Sequence, residues 1–368
     1  LCERIGMESS MITHEANGNK ATTPAIFPTH TEAFAEVVKK MTTGDGKVID
    51  DVSEINAIGH RVVHGGEKFQ ASCLITPEVI ETLRELSPLA PLHNPAGILG
   101  IEAAKKVFGD IPNVAVFDTA FHSTMPPKAF MYAIPYEYYE KYGVRRYGFH
   151  GTSHRYVSQR VCEYLGVDIN KQKIITCHIG NGASVSAVKY GKCVDTSMGL
   201  TPLAGVMMGS RSGDIDASAV TYIMEKLGKQ PQEMAEYLNK ESGVLGISGV
   251  SSDMREVEAA ANEGNERAKL ALEMYSYRIK KYIGAYAAAM GGVDIIVWTA
   301  GVGENQMDIR EDSCEGLEFL GIKIDHEANK THGEEAIISA ADSKVKVCVI
   351  PTDEELMIAK DTMALLSK

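Results

Sequence analysis

The stretch that opens at Lys173 constrains the fold of this chain more than any other. Ile174-Ile175-Thr176-Cys177-His178 reads as a strand, Gly180-Asn181-Gly182 as a tight turn and Ala183 to Lys189 as an alternating strand. Tyr190-Gly191-Lys192 is a second turn, and a third strand follows it. Asn-Gly and Gly-rich turns between alternating runs are the strongest short-range signal for β-hairpins. Downstream, Glu266 to Ala289 predicts a long helix with Leu272, Tyr275, Ile279, Tyr282, Ile283 and Tyr286 at spacings of three and four. A buried-type strand follows at Asp294 to Trp298, and a last one at Val345 to Ile350 feeds a closing helix after Pro351. Antiparallel hairpins joined to helix–strand units predict an α/β fold with mixed sheets, not a purely parallel one.

Upstream the signals are sparser. The first fifty residues are polar and Thr-rich, with a helix predicted from Thr31 to Met41. A strand at Ala57 to Val63 runs into His64-Gly65-Gly66, and Pro77 to Leu86 reads as a short helix. Pro88 to Pro95 is a Pro-punctuated loop, Gly97 to Phe108 a helix, and Asn113 to Asp118 an apolar strand ending in an acid. A chain of 368 residues exceeds what one core usually serves, so two domains are expected. The boundary is placed near Phe121 to Pro127, giving domains 1–120 and 121–353 with the closing helix 354–368 returning to the first.

The formal net charge of −12 argues against a nucleic-acid partner and means that an anionic substrate must be held by a few placed cations. The seven cysteines are odd in number and show no CxxC spacing, which suits buried free thiols in a reducing compartment better than zinc or disulfides. No apolar run approaches a membrane span and no signal peptide opens the chain, so the expected location is the cytoplasm.

Three Gly-rich elements are candidates for holding phosphate: His178-Ile179-Gly180-Asn181-Gly182, Met208 to Asp214 around Arg211, and Gly301-Val302-Gly303-Glu304-Asn305. Small residues let backbone amides turn toward one anionic point. Each alone is an ordinary turn; three in one chain favour a nucleotide or phosphate site. No Walker A or protein-kinase motif is present. Arg61 and Arg211, each near glycines, suit bidentate recognition of carboxylate or phosphate, with surface salt bridges as the plainer reading. His150 precedes a predicted helix start for which Thr152 or Ser153 is the N-cap candidate. Asp118 ends its strand at a position where function collects. Thr352-Asp353-Glu354-Glu355 fits a capping box, which leaves Glu354 available to a metal.

Taken together these segments resemble the acetate kinase family. The matches are Gly59-His60-Arg61-Val62-Val63-His64-Gly65-Gly66, Ala90-Pro91-Leu92-His93-Asn94-Pro95, Val116 to His122, Tyr147 to His154, His178 to Gly182, Met208 to Asp214, Gly301 to Asn305 and Pro351 to Glu355. They stand in family order from about residue 55 onward. The resemblance implies a two-domain actin-like (ribonuclease H-like) ATPase fold with ATP in an interdomain cleft, a homodimer, and Mg²⁺, with Mn²⁺ as the alternative ion. It implies acetate and ATP as substrates, with Arg61 and Arg211 on the carboxylate and the transferring phosphoryl group. His150 would stabilise that group, His93 would assist, and Asp118 would act as acid/base or orient an arginine. Val63, Leu92, Phe149 and Pro202 would line the methyl pocket. His178, Ile179, Gly180, Asn181, Gly182, Asp253, Met254, Arg255, Gly301, Val302, Gly303, Glu304 and Asn305 would contact ATP or ADP, and Glu354 would ligate the metal. The family opens with a strand ending in Asn, then Gly, several Ser and a Lys; this chain begins at Leu1-Cys2-Glu3-Arg4, so those opening strands are expected to be missing from the first domain. The alternatives are a kinase for propionate or butyrate and a non-catalytic nucleotide-binding member.

Overall fold

The computed structural model describes residues 1–91 and 93–367. The chain divides into two compact units, residues 1–117 with the chain from Ile358 onward, and residues 118–357.

In the first unit, β1 (Cys2–Glu3), β2 (Met11–Ala16) and β3 (Asn19–Pro24) form an antiparallel sheet. Its hairpin turns at Asn17 and Gly18, whose φ values of +52° and +76° are those a two-residue Asn-Gly turn requires. Every residue of β3 is exposed, so the apolar alternation that betrays most strands is absent and the sequence shows only the turn. Ile12, Phe27 and Ala33 form a small core beneath it. The helix His30–Thr42 begins with a capping box between Thr29 and Glu32.

A second sheet in this unit has β4 (Ile58–Val62), β5 (Cys73–Leu74) and β6 (Asn113–Phe117). All five residues of β6 are buried, which makes it the central strand, parallel to β4 with Arg61 opposite Val116. The helix Asn94–Phe108 buries Ile98, Ile101, Ala103 and Ala104 and meets the helix His30–Thr42 through an edge-to-face contact of Phe34 and Phe108. It starts three residues earlier than the glycine at position 97 suggests, because Pro95 sits in its first turn, where a missing amide costs nothing.

The second unit is built on one mixed sheet of β7 (Lys173–Ile179), β8 (Ala183–Lys189), β9 (Lys192–Thr196), β10 (Ile295–Thr299), β11 (Ala336–Ile337) and β12 (Lys346–Val349), in the order β11-β12-β10-β7-β8-β9. The β7–β8–β9 meander is antiparallel, whereas β7, β10 and β12 run parallel. Pleat alternation puts Ile174, Thr176 and His178 of β7 on one face, opposite Val188, Ser186 and Ser184 of β8. The helix Gly151–Leu165 covers this face with Val157, Val161 and Cys162. The helix Glu266–Met290 also packs against β7 and β8. Trp298 in β10 is fully buried. All seven cysteines are free, five of them buried.

Two further local expectations change in the second unit. Gly301 to Asn305 is not a loop but a short helix, Ala300–Asn305. The closing helix Glu354–Leu366 is capped by Asp353, which accepts from the Leu356 amide at 2.8 Å, while the Thr352 hydroxyl turns to Ser153.

Candidate active site

In the first unit, Arg61 is exposed on β4 and Val63 follows half-buried. The next residue, His64, is buried, and its peptide is gripped at both ends by Asn94. The Asn94 Oδ1 accepts from the His64 amide at 3.2 Å and its Nδ2 donates to the His64 carbonyl at 3.0 Å. Because Asn94 opens its helix, this pair of bonds ties the His60–Gly66 segment to His93, the residue just before that helix. Leu92 lies outside the described residues.

In the second unit, His150 stands at the start of the helix Gly151–Leu165 and is itself the residue at the cap position, in place of Thr152 or Ser153. Its backbone is left-handed, with φ +56°, a conformation costly for a non-glycine residue. The Gly151 amide donates to the Asp118 carbonyl at 2.9 Å. A Cβ at Gly151 would lie 2.2 Å from that oxygen, so only glycine permits the approach that sets buried Asp118 beside His150. The His150 Nδ1 pairs with Ser184 Oγ at 2.8 Å, and its ring stacks on His178 with centroids 4.1 Å apart.

Arg211 arrives from a separate loop. Its Nη1 donates to the Pro202 carbonyl at 3.0 Å, which brings Pro202 to the same place, and burial draws its guanidinium below the ordinary value. A Cβ built on Gly182 would lie 3.4 Å from His150 Nε2 and 3.5 Å from Arg211 Nη1. Imidazole and guanidinium therefore share one point above the β7–β8 turn. Phe149 is buried, and its carbonyl accepts from His122 Nε2 at 2.8 Å.

The three Gly-rich elements meet on the other side of that turn. A Cβ at Gly209 would come within 2.8 Å of Asn181 Oδ1, and one at Gly180 within 3.6 Å of the Ala300 Cβ. Together with Ser252, Asp253, Met254, Arg255, Gly301, Val302, Asn305 and Gln306 they line a cavity of about 610 Å³, within the usual range for a small-ligand site. Arg255 grips the Asp253 carboxyl through a 2.6 Å bond and holds it down to about 2. Not every expected nucleotide residue lines this space. His178 turns to Ser153 (2.7 Å), Ile179 is fully buried, and Gly182 looks toward His150 and Arg211. Gly303 is buried, and Glu304 accepts from the amides of Ala300 (2.7 Å) and Thr352 (3.2 Å), tying two loops together. Ser252 and Gln306 are additions without a sequence signal of their own.

Below His150 lies a polar network that pattern reading missed. His154 Nε2 pairs with Ser184 Oγ and its Nδ1 with Thr176 Oγ1, both at 2.7 Å. Thr352 donates to Ser153, which pairs with His178. Burial lowers His154 well below the ordinary value and His122 to about 4. The available signal was Thr176, Ser184 and Ser186 interrupting otherwise apolar buried strands. Glu354 is half-buried in the first turn of the closing helix. Among the described residues no three His, Cys, Asp or Glu side chains are grouped to hold a metal ion, and no helix is long and apolar enough to cross a membrane.

Comparison with known proteins shows the family and the fold. The model of the acetokinase family matches residues 1–360. The chain is 62% identical to an acetate kinase of Phocaeicola vulgatus and 60% identical to one of Thermotoga maritima, covering all of this chain and 92% of each relative. A crystal structure of Porphyromonas gingivalis acetate kinase superposes with a TM-score of 0.95 at 54% identity, over 99% of this chain and 92% of that one. A propionate kinase from Francisella tularensis gives 0.92 at 42%, over the same shares. The mixed α/β architecture is the actin-like ATPase fold these kinases share. The chain belongs to the acetokinase family.

Proposed function

We propose that the chain performs the reversible transfer of the ATP γ-phosphoryl group to acetate by direct in-line attack, giving acetyl phosphate and ADP. Phosphotransfer with ATP as co-substrate is the activity of its family. A carboxyl with a pKa near the ~4.3 of Glu is ionised at neutral pH, so acetate needs no base to become a nucleophile. An acetate oxygen bonds to phosphorus while the bond to the β–γ bridging oxygen breaks and ADP leaves with the electron pair. The obstacle is bringing an anion against a polyanion in a protein that is itself negative. Preorganised donors at the point where charge is spread are the efficient answer.

The convergence of His150 and Arg211 over Gly182 supports this reading most, because the same turn borders the 610 Å³ cavity through Gly180 and Asn181. ATP occupies that cavity, and its γ-phosphoryl group reaches His150 and Arg211. Arg61 holds the acetate carboxylate, His93 assists, and Asp118 orients a guanidinium without taking a proton. Val63, Phe149 and Pro202 enclose the methyl group. Magnesium usually binds through one or two carboxylates plus substrate phosphates, so Glu354, with no cage of three His, Cys, Asp or Glu side chains among the described residues, fits an ion carried in with the nucleotide. Bound there, the ion would neutralise charge on the β- and γ-oxygens. We also assign a homodimer and a cytoplasmic location, on the family membership alone.

Acyl phosphate trapping with hydroxylamine, run with acetate, propionate and butyrate, tests the assignment. Acetate should give the highest kcat/KM, with propionate behind by the roughly 10–200-fold that one methylene commands. A preference for propionate would overturn it; the lower identity to the propionate kinase, 42% against 54–62%, counts against that result.

A further inference from the structure

Four side chains form an unbroken line from the interior of the second unit to the reacting point: Thr176 Oγ1, His154, Ser184 Oγ and His150. Their proton directions follow from counting donors. Thr176, His154 and Ser184 have no exposed surface, and among the described residues the Thr176 hydroxyl has no hydrogen-bond partner other than His154 Nδ1. If His154 Nδ1 carried a proton and donated it, the Thr176 hydroxyl hydrogen would be buried with nothing to accept it, at a cost of about 1–3 kcal/mol. The Thr176 hydroxyl therefore donates to His154 Nδ1. A buried, neutral His154 must then carry its proton on Nε2 and donate it to Ser184 Oγ. A serine hydroxyl has one hydrogen, and with its oxygen accepting from His154 that hydrogen goes to His150 Nδ1. His150 accepts at Nδ1 and holds its own proton on Nε2, the nitrogen that faces Gly182 and Arg211.

We infer that Thr176, His154 and Ser184 are positioning residues that fix the Nε2–H tautomer of His150, so that this imidazole presents a hydrogen-bond donor to the transferring phosphoryl group. The relay needs no charge on His150: the donor is set by the protein before substrate arrives. Without Ser184 the ring can place its proton on either nitrogen, and in the Nδ1–H form it turns a lone pair toward the phosphoryl oxygens. The inference rests on the reading of His150 as a group acting on that phosphoryl.

Nitrogen-15 spectra of the imidazoles in the full-length chain at pH 7.5 test it directly. The resonances are assigned with His150→Gln and by their response to the variants below. In the unsubstituted protein both His150 and His154 should show a protonated Nε2 and an unprotonated Nδ1; a protonated Nδ1 on either ring overturns the inference without any variant. Ser184→Ala and the near-isosteric Thr176→Val should each shift His150 toward mixed tautomers. Each should lower kcat roughly tenfold, the worth of one hydrogen bond, with less than about twofold change in KM for acetate and ATP. Ser184→Thr, which keeps the hydroxyl, should restore both spectrum and kcat. Unchanged tautomer and kcat within twofold in both hydroxyl-removing variants would sink the relay. His150→Gln with unimpaired kcat would instead sink the reading of His150 and leave the tautomer result standing.

Discussion

His150 Nε2 and Arg211 Nη1 lie 3.4 and 3.5 Å from the one position in space where a side chain on Gly182 would begin. Those separations are ordinary van der Waals contacts, so the fold can accept a methyl group there. On the proposed function, the reacting phosphorus and its oxygens cannot share that space so easily. Gly182→Ala should leave the thermal midpoint almost unchanged yet cut kcat/KM by roughly 10²-fold, the cost of misplacing a reacting group by about 1 Å. Differential scanning calorimetry paired with steady-state kinetics checks it, and full activity would mean that the shared point is not where phosphorus changes hands.

Arg211 is held by the Pro202 carbonyl and partly stripped of water, which makes its charge more effective at close range. Arg211→Ala should lower kcat by about 10³-fold or more, as for other arginines acting on a transferring phosphoryl group, while raising the KM for acetate far less. Arg211→Lys should recover only part of the loss, because an ammonium cannot reproduce a planar two-pronged donor. A change confined to acetate affinity would reassign Arg211 to substrate binding alone.

The meander of β7, β8 and β9 was legible because both of its turns carry glycine and Ala183 to Lys189 alternates between them. The first hairpin was not, although Asn17-Gly18 marks it, because β3 buries nothing and leaves no periodic pattern. Within the site, Arg211 and His150 stood out through their flanking glycines. The relay beneath them did not, since Thr176, Ser184 and His154 acquire meaning only from a strand register and a helix docking that place residues 176 and 184 against residue 154. Local propensity could name the caps as a class, yet it chose Thr352 where the backbone uses Asp353, the two differing by a single position.

His122 and His154 make the second unit sensitive to mild acid. Burial depresses His122 to about 4, against about 6.5 for an exposed imidazole, so the unfolded chain binds a proton more readily than the folded one. Its contribution to stability is complete above pH ~6.5 and is lost as pH falls toward 4, on the order of 3 kcal/mol. His154, also lowered, adds in the same direction. Trp298, the one tryptophan, is fully buried in this unit and reports its unfolding. Urea midpoints followed by its fluorescence should drop between pH 7.5 and pH 5, and His122→Asn should flatten that drop while lowering stability at pH 7.5. A pH-independent midpoint over this range would mean that the histidines are solvated.

Two glycines in helices should respond to alanine with opposite signs. At Gly151 the added Cβ would sit 2.2 Å from the Asp118 carbonyl oxygen, an approach no real Cβ makes, and that oxygen also accepts the Gly151 amide. Relief requires the first turn of the helix Gly151–Leu165 to move away from Asp118, carrying His150 with it. Gly100 lies inside the helix Asn94–Phe108 with nothing within 4 Å of its hypothetical Cβ, so alanine there costs no contact and reduces the entropy of the unfolded chain. Gly100→Ala should stabilise by roughly 0.5–1 kcal/mol and leave kcat untouched. Gly151→Ala should lower both the thermal midpoint and kcat, because stability and the placement of His150 depend there on the same 2.9 Å hydrogen bond. If Gly151→Ala melted early but kept its kcat, the position of His150 would be set from elsewhere, and the approach of Asp118 to this helix would be a matter of folding alone.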